Sequence, residues 1–149
     1  MADIVSPEKR SEMMSRIRSK NTQPELRIRS ALHKLGYRFR IHVVSLPGKP
    51  DVVLPRYKTV IQVRGCFWHG HSCRDGARPH SREEYWIPKL DGNRKRDRRN
   101  DRQLRALGWS VLIVWECRCR SRKGLERELR RLDAFLQRRL KLLSSREGS

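Results

Sequence analysis

Residues 50–64 read PDVVLPRYKTVIQVR, two short runs rich in valine and isoleucine separated by a proline-initiated turn. The runs over 51–54 and 59–63 have strand length and strand composition, and Pro-Arg-Tyr-Lys between them is turn chemistry. A third β-like run over 38–43 precedes them, so a meander is expected. Further on, the stretch 109–115 (WSVLIVW) is continuously apolar and predicts a strand buried on both faces. Helical patterns flank these runs. Thr22-Gln-Pro-Glu25 has the form of a capping box before Leu26, Ile28, Ala31, Leu32 and Leu35, and Gly36 ends the pattern. Ser81-Arg-Glu-Glu84 is a second such box, opening a basic helix that is interrupted near Pro88 and Gly92 and stops at Gly108. Leu125, Leu129, Leu132, Leu136 and Leu140 predict a last helix over 124–140, and 7–20 reads as a short basic helix with an apolar stripe of Met13, Met14 and Ile17. Helices on either side of a mixed sheet place the chain in the α/β class.

The chain of 149 residues has the size of one compact domain. Its 36 Lys+Arg against 16 Asp+Glu, a formal charge of +20, exclude an ordinary enzyme of small neutral substrates and call for a polyanionic partner. Nucleic acid is preferred to a membrane, because no apolar run approaches the roughly 20 residues needed to span one and no signal-like segment follows the first residues. A cytoplasmic protein is expected, nucleoid-associated when working. Arginine outnumbers lysine, which suits planar recognition of phosphates and guanine edges, although codon usage is a bland source for part of that excess.

Cys66, His71 and Cys73 lie close together, and Cys117 follows the apolar run 109–115. One local group plus one distant thiolate can complete a closed tetrahedral Zn²⁺ site, a structural staple for a small, self-repelling domain. Spacing alone does not select His71 over His69. Cys119 is read as an unliganded thiol. The loop over 65–80, rich in glycine, is expected to lack regular structure and to be organised by the metal.

Asp51 at the head of a strand, with Gln62-Val63-Arg64 ending the next, approximates the PD-(D/E)xK arrangement of many nucleases. An aspartate at a strand end with an acceptor on its neighbour can hold Mg²⁺ against a scissile phosphate, and a nearby cation offsets developing charge. Taken alone the pattern is weak, since a Pro-Asp turn is common.

Four segments together give it weight: Pro-Gly-Lys-Pro-Asp51, Gly65-Cys66-Phe67-Trp68-His69-Gly-His71-Ser-Cys73, the Arg-Asp-Arg-Arg run centred on Asp97, and Gly108-Trp109-Ser-Val-Leu-Ile-Val-Trp115-Glu-Cys117. In these the chain resembles the very-short-patch mismatch-repair (Vsr) endonucleases over about 8–140. The resemblance implies a restriction-endonuclease-like fold and Mg²⁺-dependent nicking of double-stranded DNA on the 5′ side of the mispaired T of a T:G mismatch, leaving a 5′-phosphate. It implies that Asp51 and the Val63 carbonyl hold Mg²⁺ and that His69 acts as general base or as an organiser of the attacking water. Glu25 and Asp97 would support the metal-water shell, and zinc would fall to Cys66, His71, Cys73 and Cys117. Phe67, Trp68 and Trp86 would form a wedge from the major groove, with Met14 and Ile17 entering from the minor groove. A monomer is implied, with the linker protein MutL as a partner.

Each role has an ordinary rival. Glu25 already serves the capping box, Asp97 sits among helix-surface arginines, His69 is an alternative zinc ligand, and the aromatics could pack in the core. The chain also departs from the family at two positions, with Gln62 where an aromatic residue is usual and Arg64 where a histidine is usual. Arginine can contact a phosphate, but its pKa above about 12 removes it from proton transfer. The expected organisation is a DNA-contacting helix over 1–20, an endonuclease domain over 21–141 and a disordered tail over 142–149.

Overall fold

A computed structural model describes residues 22–147, so the readings placed on 1–21, the basic helix with Met14 and Ile17 among them, lie outside the described residues. Helix α1, Gln23–Lys34, presents Ile28 and Leu32 one turn apart, and both are fully buried. It stops where Gly36 takes φ +95°, with Gly36 N–H donating to His33 and Tyr37 N–H to Leu32 in a Schellman arrangement. The expected capping box does not form. Thr22 is the N-cap but makes no side-chain cap hydrogen bond, and Glu25 turns to Arg29 instead.

Strand β1, Val52–Leu54, runs antiparallel to β2, Thr59–Arg64, in the register Val52↔Ile61 and Leu54↔Thr59, and a 3₁₀ turn over Pro55–Tyr57 joins them. Helix α2, Glu83–Ala106, then carries the chain across to β3, Ser110–Trp115, which pairs parallel to β2 from Thr59↔Ser110 to Arg64↔Trp115. The result is a three-stranded mixed sheet in the order β1-β2-β3, with the expected helix between its second and third strands. The run over 38–43 is not a strand. It contributes one antiparallel bridge, Arg40↔Val53, because His42 adopts φ 55° and turns the chain out of the extended region.

Alternation along the strands sorts residues to two faces. Val52, Leu54, Ile61 and Val114 pack against Ile28 and Leu32 of α1 and against Leu132 and Leu136 of helix α3, Arg122–Glu147. Val53 and Val60 pack against Leu104 of α2, with Trp109 and Val111 beside them. Gln62 and Arg64 share the parity of Val60 and therefore face α2, whereas Val63 shares that of Ile61. The strand covered on both faces is β2, not β3. Being an outer strand, β3 is fully buried only at Val114, and Arg131 of α3 donates to its Ile113 carbonyl at 2.8 Å.

Two further expectations change. Helix α2 begins after Arg82, which sits at φ 54°, without a Ser81 cap, and it continues through Pro88 and Gly92 without a break. Proline removes only its own bond to the Glu84 carbonyl, and Glu84 is exposed, so water can take that acceptor. Helix α3 runs to Glu147, making 142–147 helical instead of a disordered tail. Leucines continue at Leu142 and Leu143, and the next helix breaker in the sequence is Gly148. No helix among the described residues is long and apolar enough to cross a membrane.

Candidate active site and metal centre

Where the β1–β2 ladder ends, the next side chain on one strand meets the next free backbone group on the other. The Asp51 carboxylate accepts the Val63 N–H at 2.6 Å. In an extended strand the N–H and C=O of one residue share an edge, so the Val63 carbonyl is turned to this side as well. From α1, Glu25 comes to the same point, only 5% exposed and paired to Arg29 at 3.1 Å, while Arg29 also donates to the Asp51 carbonyl at 3.2 Å. Burial, followed by the negative charge of Glu25, pushes the Asp51 carboxyl up to about 7, against the pull of the Val63 N–H and Arg29. Two carboxylates converging in a desolvated cleft with a backbone carbonyl beside them form a donor set suited to a hard divalent cation, and Asp51, Glu25 and Val63 fit that use.

On the facing helix, Asp97 meets His69 with Oδ2 2.5 Å from Nδ1. That contact leaves Nε2 as the imidazole nitrogen available for proton transfer. Arg64, at the end of β2, donates from Nη2 to both carboxylate oxygens of Asp101 at 2.7 and 2.9 Å, and its Nε lies 3.9 Å from Asp97. Asp51, Glu25, His69, Asp97 and Arg64 all line one cleft of about 420 Å³. An adjoining cleft of about 400 Å³ shares Glu25, Val63, Arg64 and His69 with it and is walled by Phe67 and Trp68. Every catalytic candidate named from the sequence is therefore brought together.

The aromatics also assemble, with Phe67 5.2 Å from Trp68 and 5.3 Å from Trp86, and with Trp68 5.9 Å from Trp86, all edge to face. They are not equally open. Trp68 is 7% exposed and supports the group from within, closer to the core-packing rival than to an open member of the wedge. Tyr85, which the sequence reading passed over, extends the group on its open side, 5.0 Å from Trp86.

A second cluster lies just beyond the same C-terminal ends of β2 and β3. The side-chain donors of Cys66, His71, Cys73 and Cys117 all lie within 4.8 Å of one another, and Cys117 Sγ is 3.6 Å from His71 Nδ1. Bond lengths of about 2.3 Å to sulfur and 2.0–2.1 Å to nitrogen make tetrahedral edges of about 3.5–3.8 Å, so this donor set fits a closed metal site. Burial lowers the His71 pKa, with Arg118 adding to the effect, which favours the neutral, coordinating imidazole. Burial raises the Cys66 thiol to about 12, and the neighbouring Cys73 and Cys117 add to the rise. Three crowded sulfurs need a cation before they can all ionise. Trp115 stacks on the His71 ring at 4.1 Å and 18°, which fixes its plane. The ambiguity between the two histidines is resolved by position, as His71 joins the cysteines and His69 joins Asp97. Cys119 stays outside the cluster, buried beneath α1 and α3.

Sequence reasoning missed Asp101, Arg29 and Asn93. Asp101 stands one helical turn from Asp97 and takes up Arg64, a signal visible as Asp97-Arg-Arg-Asn-Asp101. Arg29 is one turn from Glu25. Asn93, 2% exposed, donates to the Trp68 carbonyl at 3.1 Å and ties the loop to α2.

Comparison with known proteins adds the following. The family model described as "DNA mismatch endonuclease Vsr" matches residues 2–75. The chain is 51% identical over 132 residues to the type II nicking enzyme V.XorIIP of Xanthomonas oryzae, covering 89% of this chain and 97% of that one. It is 42% identical over 132 residues to the type II nicking enzyme V.NmeAIP of Neisseria meningitidis, covering 89% and 94%. With the DNA mismatch endonuclease Vsr of Escherichia coli it shares 44% over 128 residues, covering 86% and 82%.

Proposed function

The chain belongs to the DNA mismatch endonuclease Vsr family, and on that premise we propose that it is a strand-specific DNA endonuclease that nicks beside the T of a T:G mismatch and leaves a 5′-phosphate. The observation that carries this reading is the convergence of Asp51 and Glu25 with the His69–Asp97 pair on one cleft. Asp51 and the Val63 carbonyl would hold Mg²⁺, with Glu25 beside them. Bound there, Mg²⁺ supplies Lewis-acid polarisation of the scissile phosphate. His69 takes a proton from the attacking water at Nε2, while Asp97 fixes the tautomer by accepting from Nδ1. Arg64 turns its remaining edge to a phosphate oxygen. Attack at phosphorus breaks the bond to the 3′ oxygen, which leaves as the strand's 3′-hydroxyl.

Zn²⁺ is the ion that the Cys66, His71, Cys73 and Cys117 donor set suits, and its role is to clamp the loop that carries Phe67, Trp68 and His69. Mismatched steps unstack more easily than matched ones, so an aromatic group entering the duplex spends less energy there. Phe67 and Trp86, backed by Trp68, form that group. The test is strand-resolved cleavage of matched and T:G duplexes with Mg²⁺, native against Asp51→Ala. Mismatch-dependent nicking lost in the variant is expected, and no cleavage by the zinc-loaded native protein would refute the reading.

A second reading is favoured by two of the relatives, which bear the name of nicking enzymes. It keeps the chemistry and drops the mismatch, with a sequence-specific site as the target. Equal rates on matched and T:G duplexes would select it.

A further inference from the structure

The geometry points to Asp101 as a positioning residue of the cleft, one that holds Arg64 so that Asp97 remains free to serve His69. Asp97 and Asp101 lie one turn apart on α2 and both face the end of β2, where strand parity delivers Arg64. Arg64 is 8% exposed and Asp101 6%, so the guanidinium has little water to fall back on and must be matched by a carboxylate. Asp101 does this with both oxygens, at 2.7 and 2.9 Å. Arg64 Nε stands only 3.9 Å from Asp97 Oδ2, the oxygen that His69 Nδ1 meets at 2.5 Å. That single oxygen cannot serve two strong donors at full strength. With the charge of Asp101 removed, Asp97 becomes the carboxylate within reach of Arg64. A small rotation of the guanidinium would then take from His69 the partner that orients it.

The arrangement divides four side chains into two pairs, Arg64 with Asp101 and His69 with Asp97, and so puts an arginine next to a histidine–aspartate pair without uncoupling that pair. Asp101 itself lines neither cleft and acts only through Arg64, which lines both. The kinetic arm of the test rests on the nuclease reading above, whereas its spectroscopic arm does not.

Asp101→Asn keeps the shape and removes the charge. In the zinc-loaded full chain it is expected to lower kcat about ten- to a hundredfold with KM for DNA little changed, the usual scale for a residue behind the reacting groups. It is also expected to abolish the far-downfield proton resonance of the short His69–Asp97 hydrogen bond. Adding Arg64→Met removes the competitor, so the double variant should regain the resonance and turn over no more slowly than Arg64→Met alone. Should Asp101→Asn fail to fold, Asp101→Glu retains the charge and should keep both resonance and rate. The proposal is overturned if Asp101→Asn keeps the resonance, or if the double variant does not restore it, since a purely structural aspartate has no reason to be rescued through Arg64. Loss and rescue of the resonance in a protein that cuts no DNA would uphold the positioning role while refuting the nuclease reading.

Discussion

The cleft at the end of β2 and the Cys66–Cys117 cluster hold their polar side chains by opposite means. In the cleft the protein supplies both signs of charge, with Arg29 against Glu25 and Arg64 against Asp101, and it adds the hydrogen bond between His69 and Asp97. In the cluster it gathers metal-ligating donors, three sulfurs and an imidazole. The first site is thus organised by folding, whereas the second has the donor set of a metal site, although β2 and β3 carry one to the other through the Arg64↔Trp115 register. What this teaches is a division of labour. In the cleft, order comes from buried ion pairs and hydrogen bonds; on the function proposed above, the loop that faces DNA is held instead by a metal staple.

The largest test of this contrast is at Asp51. Asp51→Ala should reduce nicking about a thousandfold or more, the scale of several kcal/mol of lost transition-state stabilisation, with the melting temperature not lowered. A rate within tenfold of native would show that the cleft is not organised around this carboxylate.

Next is removal of the cluster's metal. A strong chelator, or Cys73→Ser, should lower the melting point by about 10 °C or more, given the several kcal/mol such a site contributes. Hydrogen exchange should then rise over 65–80 while β1 and β2 stay protected. Loss of protection across the whole sheet would mean that the cleft depends on the metal for folding too.

A finer test uses pH. The Asp51 carboxyl is raised to about 7 in the folded protein from an ordinary value of 3.8, so between those values the native state keeps a proton that the unfolded chain has released. Stability therefore falls as pH rises through this window, by on the order of a few kcal/mol, and the trend levels off above about pH 7. Thermal melts of the zinc-loaded protein without Mg²⁺ should show this decline, and Asp51→Asn should lack it. Added Mg²⁺ should stabilise the native protein more at pH 8 than at pH 5. Equal pH slopes for native and variant would contradict the assigned origin of the shift.

The smallest expected effect is at Cys119, whose thiol is buried and raised to about 11 but takes no part in the cluster. Cys119→Ala should shift stability by about 1–2 kcal/mol and leave the metal content unchanged. Loss of one equivalent of metal would break the separation between ligand and bystander.

Much of this molecule was legible in its sequence where local pattern decides the outcome. Ile28 and Leu32 at helical spacing, the valines of β1 and β2, and the Cys66-to-Cys73 spacing all stand where pattern put them. Expectation failed where a distant partner decides. Glu25 suits a capping box until Arg29 and Asp51 compete for it, and the apolar run of β3 looks doubly buried until the strand order puts it at the edge. Asp101 was hidden for the same reason, because its meaning depends on Arg64, which only the sheet brings near. The run over 38–43 has strand composition but meets the sheet at a single residue.

The parallel pairing of β3 with β2 has a consequence for the order in which the protein comes into being. Asp51, Val63 and His69 are synthesised early, but Asp97, Asp101 and Cys117 come later along the chain, and β2 acquires its second neighbour only with β3. A nascent chain that ends before residue 97 carries Asp51 and His69 without Asp97, Asp101 or Cys117, and so without the groups that pair with His69 and Arg64 or complete the cysteine cluster.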